Sequence, residues 1–209
     1  MKIRTVEFSG ALASPEGPMP GGLPEVAFAG RSNVGKSSLI NRLLGRTRTP
    51  IARVSSTPGK TQEVNFFRVD ALGADDQALE FTLVDLPGYG YAKVPRKKRG
   101  AWKPLIEGYL RRSGGLRGVV QLIDSRHEPT PDDLGMVEFL AALGVPTLVV
   151  LTKVDKLKSA QRARRIESIA SALNLEMEQI LPFSSHTGEG REELLGSLEG
   201  LLGPDGADL

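Results

Sequence analysis

The chain contains no cysteine, so neither a disulfide framework nor a thiolate metal centre is open to it. Histidine is nearly missing as well, with only His127 and His186. No carboxylate pair, nucleophile–base constellation or transition-metal ligand cluster stands out around them. His127 fits a role in holding the loop before Asp132 better than acid–base work, and His186 reads as an exposed loop residue. Aromatic residues make up only 5% of the chain, too few to suggest stacking platforms for RNA bases. No apolar run approaches membrane-spanning length, and residues 1–20 lack the unbroken apolar stretch of a signal peptide. A cytoplasmic protein is expected. No heptad pattern is present, and a monomer is expected. One domain of 209 residues can bury roughly 70% of its unfolded surface without staples.

Acid is missing too, in one place. Between Arg31 and Gln62 there are seven basic residues and no acidic one. From Lys93 to Arg117 nine basic residues stand against Glu107 alone, so the net charge of +2 hides an acidic remainder. Such segregation fits a polyanionic partner, or equally a set of solvated loops and helix faces.

What is present is sharper. Gly30-Arg31-Ser32-Asn33-Val34-Gly35-Lys36-Ser37 fits GxxxxGK(S/T) completely. An apolar run, Val26 to Ala29, precedes it, and Ser38 to Leu44, closed by Gly45, follows it as a helix. Strand, loop and helix in that order make the pattern a phosphate-binding loop: the backbone N–H groups turn inward and the helix N-terminus adds partial positive charge. A nucleoside triphosphate is the expected ligand.

The remainder alternates strands and helices. Strands are expected at 64–69, 79–84, 119–123, 147–151 and 180–183, and helices from about 102, at 132–143, at 160–173 and at 191–202. With the first strand this gives six, in a mostly parallel α/β sheet covered by helices on both faces. Residues 1–22 read as a partly irregular N-terminal extension, 23–203 as the single nucleotide-binding domain, and 204–209 as a short tail.

Ligands of such sheets sit at the carboxyl ends of the strands. Standing there are Asp85-Leu86-Pro87-Gly88, Thr152-Lys153-Val154-Asp155, and Ser184-Ser185 after Phe183. DxxG and TKxD are each weak alone; together, in this order, after a complete phosphate loop, they are specific. Lys36 is expected to reach the β- and γ-phosphates, and the Ser37 hydroxyl to bind a magnesium ion that Asp85 also holds, through water. Gly88 would offer its N–H to the γ-phosphate. The Asp155 carboxylate would accept bonds from the ring N–H and 2-amino group of guanine, which adenine lacks, with the Lys153 stem over one face of the base and the Ser185 N–H on the 6-oxo group. GTP is therefore expected over ATP.

These stretches resemble the EngB (YihA/YsxC) family of ribosome-assembly GTPases, within the Ras-like P-loop GTPases. The resemblance covers nearly the whole chain and rests on Phe28 to Leu39, on Pro58-Gly59-Lys60-Thr61-Gln62 with Asn65-Phe66-Phe67, on Asp85 to Val94, on Asp124-Ser125-Arg126-His127, and on Thr152 to Asp155. Thr152 stands where small GTPases commonly have asparagine; a hydroxyl offers fewer bonds than an amide. The resemblance implies that Pro58, Gly59, Lys60 and Thr61 form the first switch and that Thr61 completes the magnesium shell, although the residues alone leave several hydroxyls between Thr47 and Thr61 in competition. It further implies slow GTP hydrolysis to GDP, with Lys36, Thr61 and Gly88 as the catalytic groups, as a nucleotide switch in large-subunit assembly, associated in the family with cell division.

Tyr89 occupies the place where Ras-like proteins often carry a water-orienting glutamine, hence the expectation of a low intrinsic rate. Asn33 either coordinates a potassium ion that bridges the phosphates or merely caps loop backbone groups. The basic segment 93–117 is expected to grip ribosomal RNA or a large-subunit precursor by counterion release. Hydrolysis either drives an assembly step or only times release from the ribosome; another P-loop NTPase is the third reading, and Asp155 argues against it.

Overall fold

A computed structural model of the chain describes residues 1–52, 63–90 and 102–203. The chain opens with strand β1 (Lys2–Leu12), followed by β2 (Glu25–Gly30) and helix α1 (Lys36–Leu43). Next come β3 (Val64–Leu72), β4 (Ala78–Asp85), α2 (Trp102–Arg112), β5 (Leu116–Asp124) and α3 (Pro131–Ala142). β6 (Thr147–Thr152), α4 (Ser159–Leu173), β7 (Ile180–Pro182) and α5 (Arg191–Leu202) complete it. The sheet order is β1-β3-β4-β2-β5-β6-β7, with β1–β3 and β3–β4 antiparallel and the other pairs parallel.

Among the described residues seven strands, not six, form this sheet. The extra one is β1, inside the segment expected to be loosely ordered. It pairs along its length with β3, and two register irregularities, between Ile3 and Thr5 and between Phe8 and Gly10, break the alternation by which a strand is read. Val6 therefore faces one core cluster and Leu12 the other. Phe8 packs edge-on against Phe67, ring centroids 5.8 Å apart.

β2 lies at the centre, all six of its residues buried. Its period-2 alternation serves both faces: Val26 and Phe28 join one cluster, Ala27 and Ala29 the other. The first cluster carries α1 and α5 through Leu39, Ile40, Leu43, Leu194, Leu195 and Leu198. The second carries α2 and α3 through Leu105, Ile106, Tyr109, Leu110, Met136 and Leu140. The 105/106/109/110 spacing is one face of a helix, as the sequence predicts. α4 covers β6 and β7 with Ile166, Ile169 and Leu173. α3 starts with a reciprocal capping box between Thr130 and Asp133 and with Pro131 in its first turn, a cap contributing about 1 kcal/mol.

Candidate nucleotide-binding site

The phosphate loop is shaped by what cannot fit. A Cβ on Gly30 would lie 2.9 Å from Val34 Cγ1 and 3.1 Å from Leu122 Cβ, so only glycine closes this turn. Gly35 has φ +106°, in the left-handed region, and directly precedes α1. The helix begins at Lys36, so the free N–H groups of its first turn, with Lys36, Ser37 and Ser38, come directly after the loop that leaves β2.

Lys36, 8% exposed, donates its Nζ to Asp85 Oδ1, and Asp85 is 4% exposed. The two charges neutralise each other inside the fold, and stranding either would be costly. Gly88, three residues after Asp85, backs onto the phosphate loop: a Cβ there would meet Ser32 Oγ at 3.0 Å and Ser32 N at 3.3 Å. Leu86 is fully buried in the core, and Pro87 leads from it to Gly88.

The base-side loops are tied to the phosphate loop. Thr152 donates its hydroxyl to Val34 O at 2.7 Å, with Ile123 O 3.2 Å away, so the hydroxyl holds this loop where an amide is commoner. Lys153 takes a left-handed backbone (φ 62°) and sends Nζ to Asn33 O at 2.7 Å and to Asp124 Oδ2 at 2.8 Å. Its ammonium thereby fastens the two loops together. Asn33 is itself left-handed (φ 65°), with an exposed side chain.

Asp155 lies in the 3-10 turn after β6, with Val154 buried beside it. Its Oδ1 accepts from Ser184 Oγ at 2.8 Å and its Oδ2 lies 3.3 Å from Lys156 Nζ. Burial pushes this carboxyl up, but Ser184 and Lys156 outweigh it and hold it below the ordinary value. Ser184 is fully buried, and its hydroxyl also accepts from Thr187 N at 3.1 Å. Ser185, half-buried, follows directly. Phe183 contributes only main chain to this loop, since its ring belongs to the core.

The structure thus brings together 30–38, 85–88, 152–155 and 183–185. Pro58, Gly59, Lys60 and Thr61 lie outside the described residues, as do Lys93 and Arg96 to Arg99. Of the remaining basic run, Lys103 is exposed, Arg111 stands 5.9 Å over the Phe139 ring, and Arg112 fastens the N-terminal loop through Pro15 O and Gly17 O. Part of this charge is therefore structural.

Two residues received no role from sequence reasoning: Asp124, quoted only within a stretch of resemblance, and Asn41, not singled out at all. Asp124, at the end of β5, receives Arg126 Nε at 2.9 Å and Arg126 Nη2 at 2.8 Å besides Lys153. Burial raises its pKa, but these bonds bring it down to about 2. Asn41, 3% exposed, accepts from the N–H groups of Ile51 and Ala52 and donates to Ala52 O. The signal was a polar residue next to Ile40 on the face of α1 that packs on the sheet.

The family model described as 50S ribosome-binding GTPase matches residues 25–153. The GTP-binding protein EngB of Gemmatimonas aurantiaca is 52% identical over 97% of this chain and 95% of its own length. That of Desulforamulus reducens is 51% identical over 100% of this chain and 98% of its own. The chain belongs to the EngB family of GTP-binding proteins.

Solved structures agree on the fold of this EngB-family chain. A crystal structure of a GTP-binding protein EngB superposes with TM-score 0.64 over 85% of this chain and 98% of its own, at 24% identity. Era of Aquifex aeolicus, bound to GDP and AlF4-, superposes with TM-score 0.66 over 86% of this chain and 56% of its own, at 25% identity. GTP binding and a GTPase domain are thus established at the level of the family. No helix among the described residues is long and apolar enough to cross a membrane.

Proposed function

We propose that the protein hydrolyses GTP slowly and uses the bound nucleotide as a switch in assembly of the large ribosomal subunit, in the cytoplasm and as a monomer. The observation that carries the nucleotide part is the convergence of a carboxylate, Asp155, with a phosphate loop to which its own loop is bonded through Thr152 and Lys153.

Residues 30–38 would cradle the α- and β-phosphates, and Lys36 would leave Asp85 for the β- and γ-phosphates. Ser37 and Asp85 supply hard oxygen donors that fit magnesium, with Thr61 as the third. Among the described residues no cluster of three His, Cys, Asp or Glu side chains could hold a metal alone, so phosphates and waters would have to complete that shell. When bound, the ion neutralises charge developing on the transferred phosphoryl group. Gly88 N–H would meet the γ-phosphate. Tyr89 is fully buried and has no side-chain atom to offer an attacking water, which supports the low rate. The exposed Asn33 side chain on a pinned main chain suits a potassium ligand. Support for the ribosomal role comes from the family model's description and from the basic segment 93–117.

Nucleotide competition tests the core of the reading. GTP should displace labelled GDP, and ATP should be rejected by a factor on the order of 10⁴, because it leaves a carboxylate unpaired. Equal displacement by ATP would end it. Equal turnover in potassium and sodium would remove the cation role. Reversing Arg96, Lys97, Lys98 and Arg99 to glutamate should abolish co-sedimentation with large-subunit precursors while sparing GTP affinity; unchanged co-sedimentation at low salt would remove the RNA contact. Strong stimulation of single-turnover hydrolysis by precursor subunits is expected, whereas assembly completed with a non-hydrolysable analogue would reduce hydrolysis to a release timer.

A further inference from the structure

Gly88 has no side chain to fix its peptide, so its neighbours must. On one side Pro87 restricts the chain. On the other, Tyr89 is held at both ends. Its N–H donates to Gly30 O at 3.3 Å and its carbonyl accepts from Ser32 N–H at 2.9 Å, a parallel bridge onto the phosphate loop. Its ring is fully buried in the cluster that α2 and α3 form against the sheet.

The Tyr89 hydroxyl donates to Asp133 Oδ1 at 3.0 Å and accepts from Gln121 Nε2. An ionised carboxylate only accepts, so the phenol proton points to Asp133 and a lone pair is left for the amide. Asp133 is 3% exposed, and its second oxygen takes the Thr130 N–H at 2.9 Å and the Thr130 hydroxyl at 2.7 Å. Gln121, fully buried on β5, anchors the other end. Burial, with Asp133 second, pushes the phenol well above its ordinary pKa, so the chain of bonds keeps its proton at neutral pH. Gly90 then turns left-handed (φ 73°), where a Cβ would lie 2.9 Å from Arg31 Nε and 3.1 Å from Asp132 Oδ2.

We propose that Tyr89 is a positioning residue for GTP hydrolysis: the buried Gln121–Tyr89–Asp133 chain fixes the Gly88 N–H over the phosphate loop, where the γ-phosphate would meet it. This rests on the reading of Gly88 given above. The side chain after DxxG thus acts through the core rather than on the attacking water. A donor held in place beforehand needs no reorganisation when charge develops on the phosphoryl oxygens. GDP has no γ-phosphate, so its affinity should not depend on this chain.

The test is Tyr89→Phe, which keeps the ring and removes the hydroxyl, in the full-length protein. GDP affinity should stay within about twofold of wild type. Loss of a whole such donor costs about 10²–10³ in rate, and a loosened one should cost roughly tenfold in single-turnover GTP hydrolysis, with weaker binding of a non-hydrolysable GTP analogue. Wild-type hydrolysis by the variant overturns the proposal alone. So does an equal loss of GDP and analogue affinity, which is what general loosening would give. Should Tyr89→Phe not fold, Asp133→Ala carries the same measurements, because it removes the acceptor of the Tyr89 hydroxyl altogether. A wild-type protein that hydrolyses no GTP overturns the site reading and this proposal together.

Discussion

Asn41→Leu is a test of how far one buried amide holds the fold beside the nucleotide site. The substitution keeps the branched four-atom shape of the side chain on α1 but strands the Ile51 N–H, the Ala52 N–H and the Ala52 carbonyl. Ala52 is 1% exposed, so water cannot replace its two bonds without pulling its methyl from the core. Ile51 is half-buried and recovers part of its loss. Two stranded groups at about 1–3 kcal/mol each, less about 1 kcal/mol from burying leucine, leave a destabilisation of about 1–5 kcal/mol. Urea unfolding reads it: at an m of about 2 kcal/mol/M the midpoint should fall by about 0.5–2.5 M with m unchanged. Asn41→Asp keeps the acceptor for both N–H groups and loses only the donor, so it should fall between. A leucine variant with a midpoint within about 0.3 M of wild type would refute the reasoning.

Three further outcomes are expected. Gly88→Ala should bind GDP normally yet lose at least about tenfold in GTP hydrolysis, since its Cβ would press on Ser32 and crowd the γ-phosphate; unimpaired turnover would contradict this. Asp155→Asn should erase the preference for GTP over ATP in competition binding, because an amide presents one donor where guanine needs only acceptors; retained preference would move base selection elsewhere. Asp124 titrates at about 2 when folded and near 3.9 unfolded, so its contribution is complete above pH ~4 and lost as pH falls toward 2. For a carboxylate 16% exposed that contribution is about 1–2 kcal/mol after screening. In Lys153→Met the Asp124 carboxyl should move up, visible by NMR titration, and acid unfolding should begin at higher pH.

The nucleotide-binding half of the fold was legible because its constraints are local. Gly30, Gly35 and Gly88 stand where side chains collide or φ is positive, and such positions leave a fixed pattern in sequence. The helix face at 105–110 was legible by spacing. β1 was not, because its partner β3 begins some fifty residues on and two register irregularities erase its alternation. The partners of Lys153 were hidden for a related reason. Asn33 and Asp124 lie 120 and 29 residues away in sequence, and only the folded sheet brings them to one ammonium. Arg112 read as one more RNA-facing cation, whereas its guanidinium fastens the N-terminal loop.

The distribution of these bonds separates two tasks. The base side is rigidly coupled to the phosphate loop: Thr152 and Lys153 bond to Val34 and Asn33, and Ser184 braces Asp155. The groups proposed to select the base are not those proposed to meet the γ-phosphate, so base selection should be the same for GDP and GTP. On the opposite side, the groups expected near that phosphate are Lys36 and Gly88, with Thr61 by resemblance. Lys36 is engaged by Asp85, and both charges are nearly inaccessible to water. Phosphate alone would free a buried carboxylate; metal alone would free a buried ammonium. Each arrival therefore lowers the cost of the other, and nucleotide and magnesium should bind as a coupled pair. On the proposed reading, the fold would hold guanine identity constant and leave the γ-phosphate as the one variable that Gly88 meets.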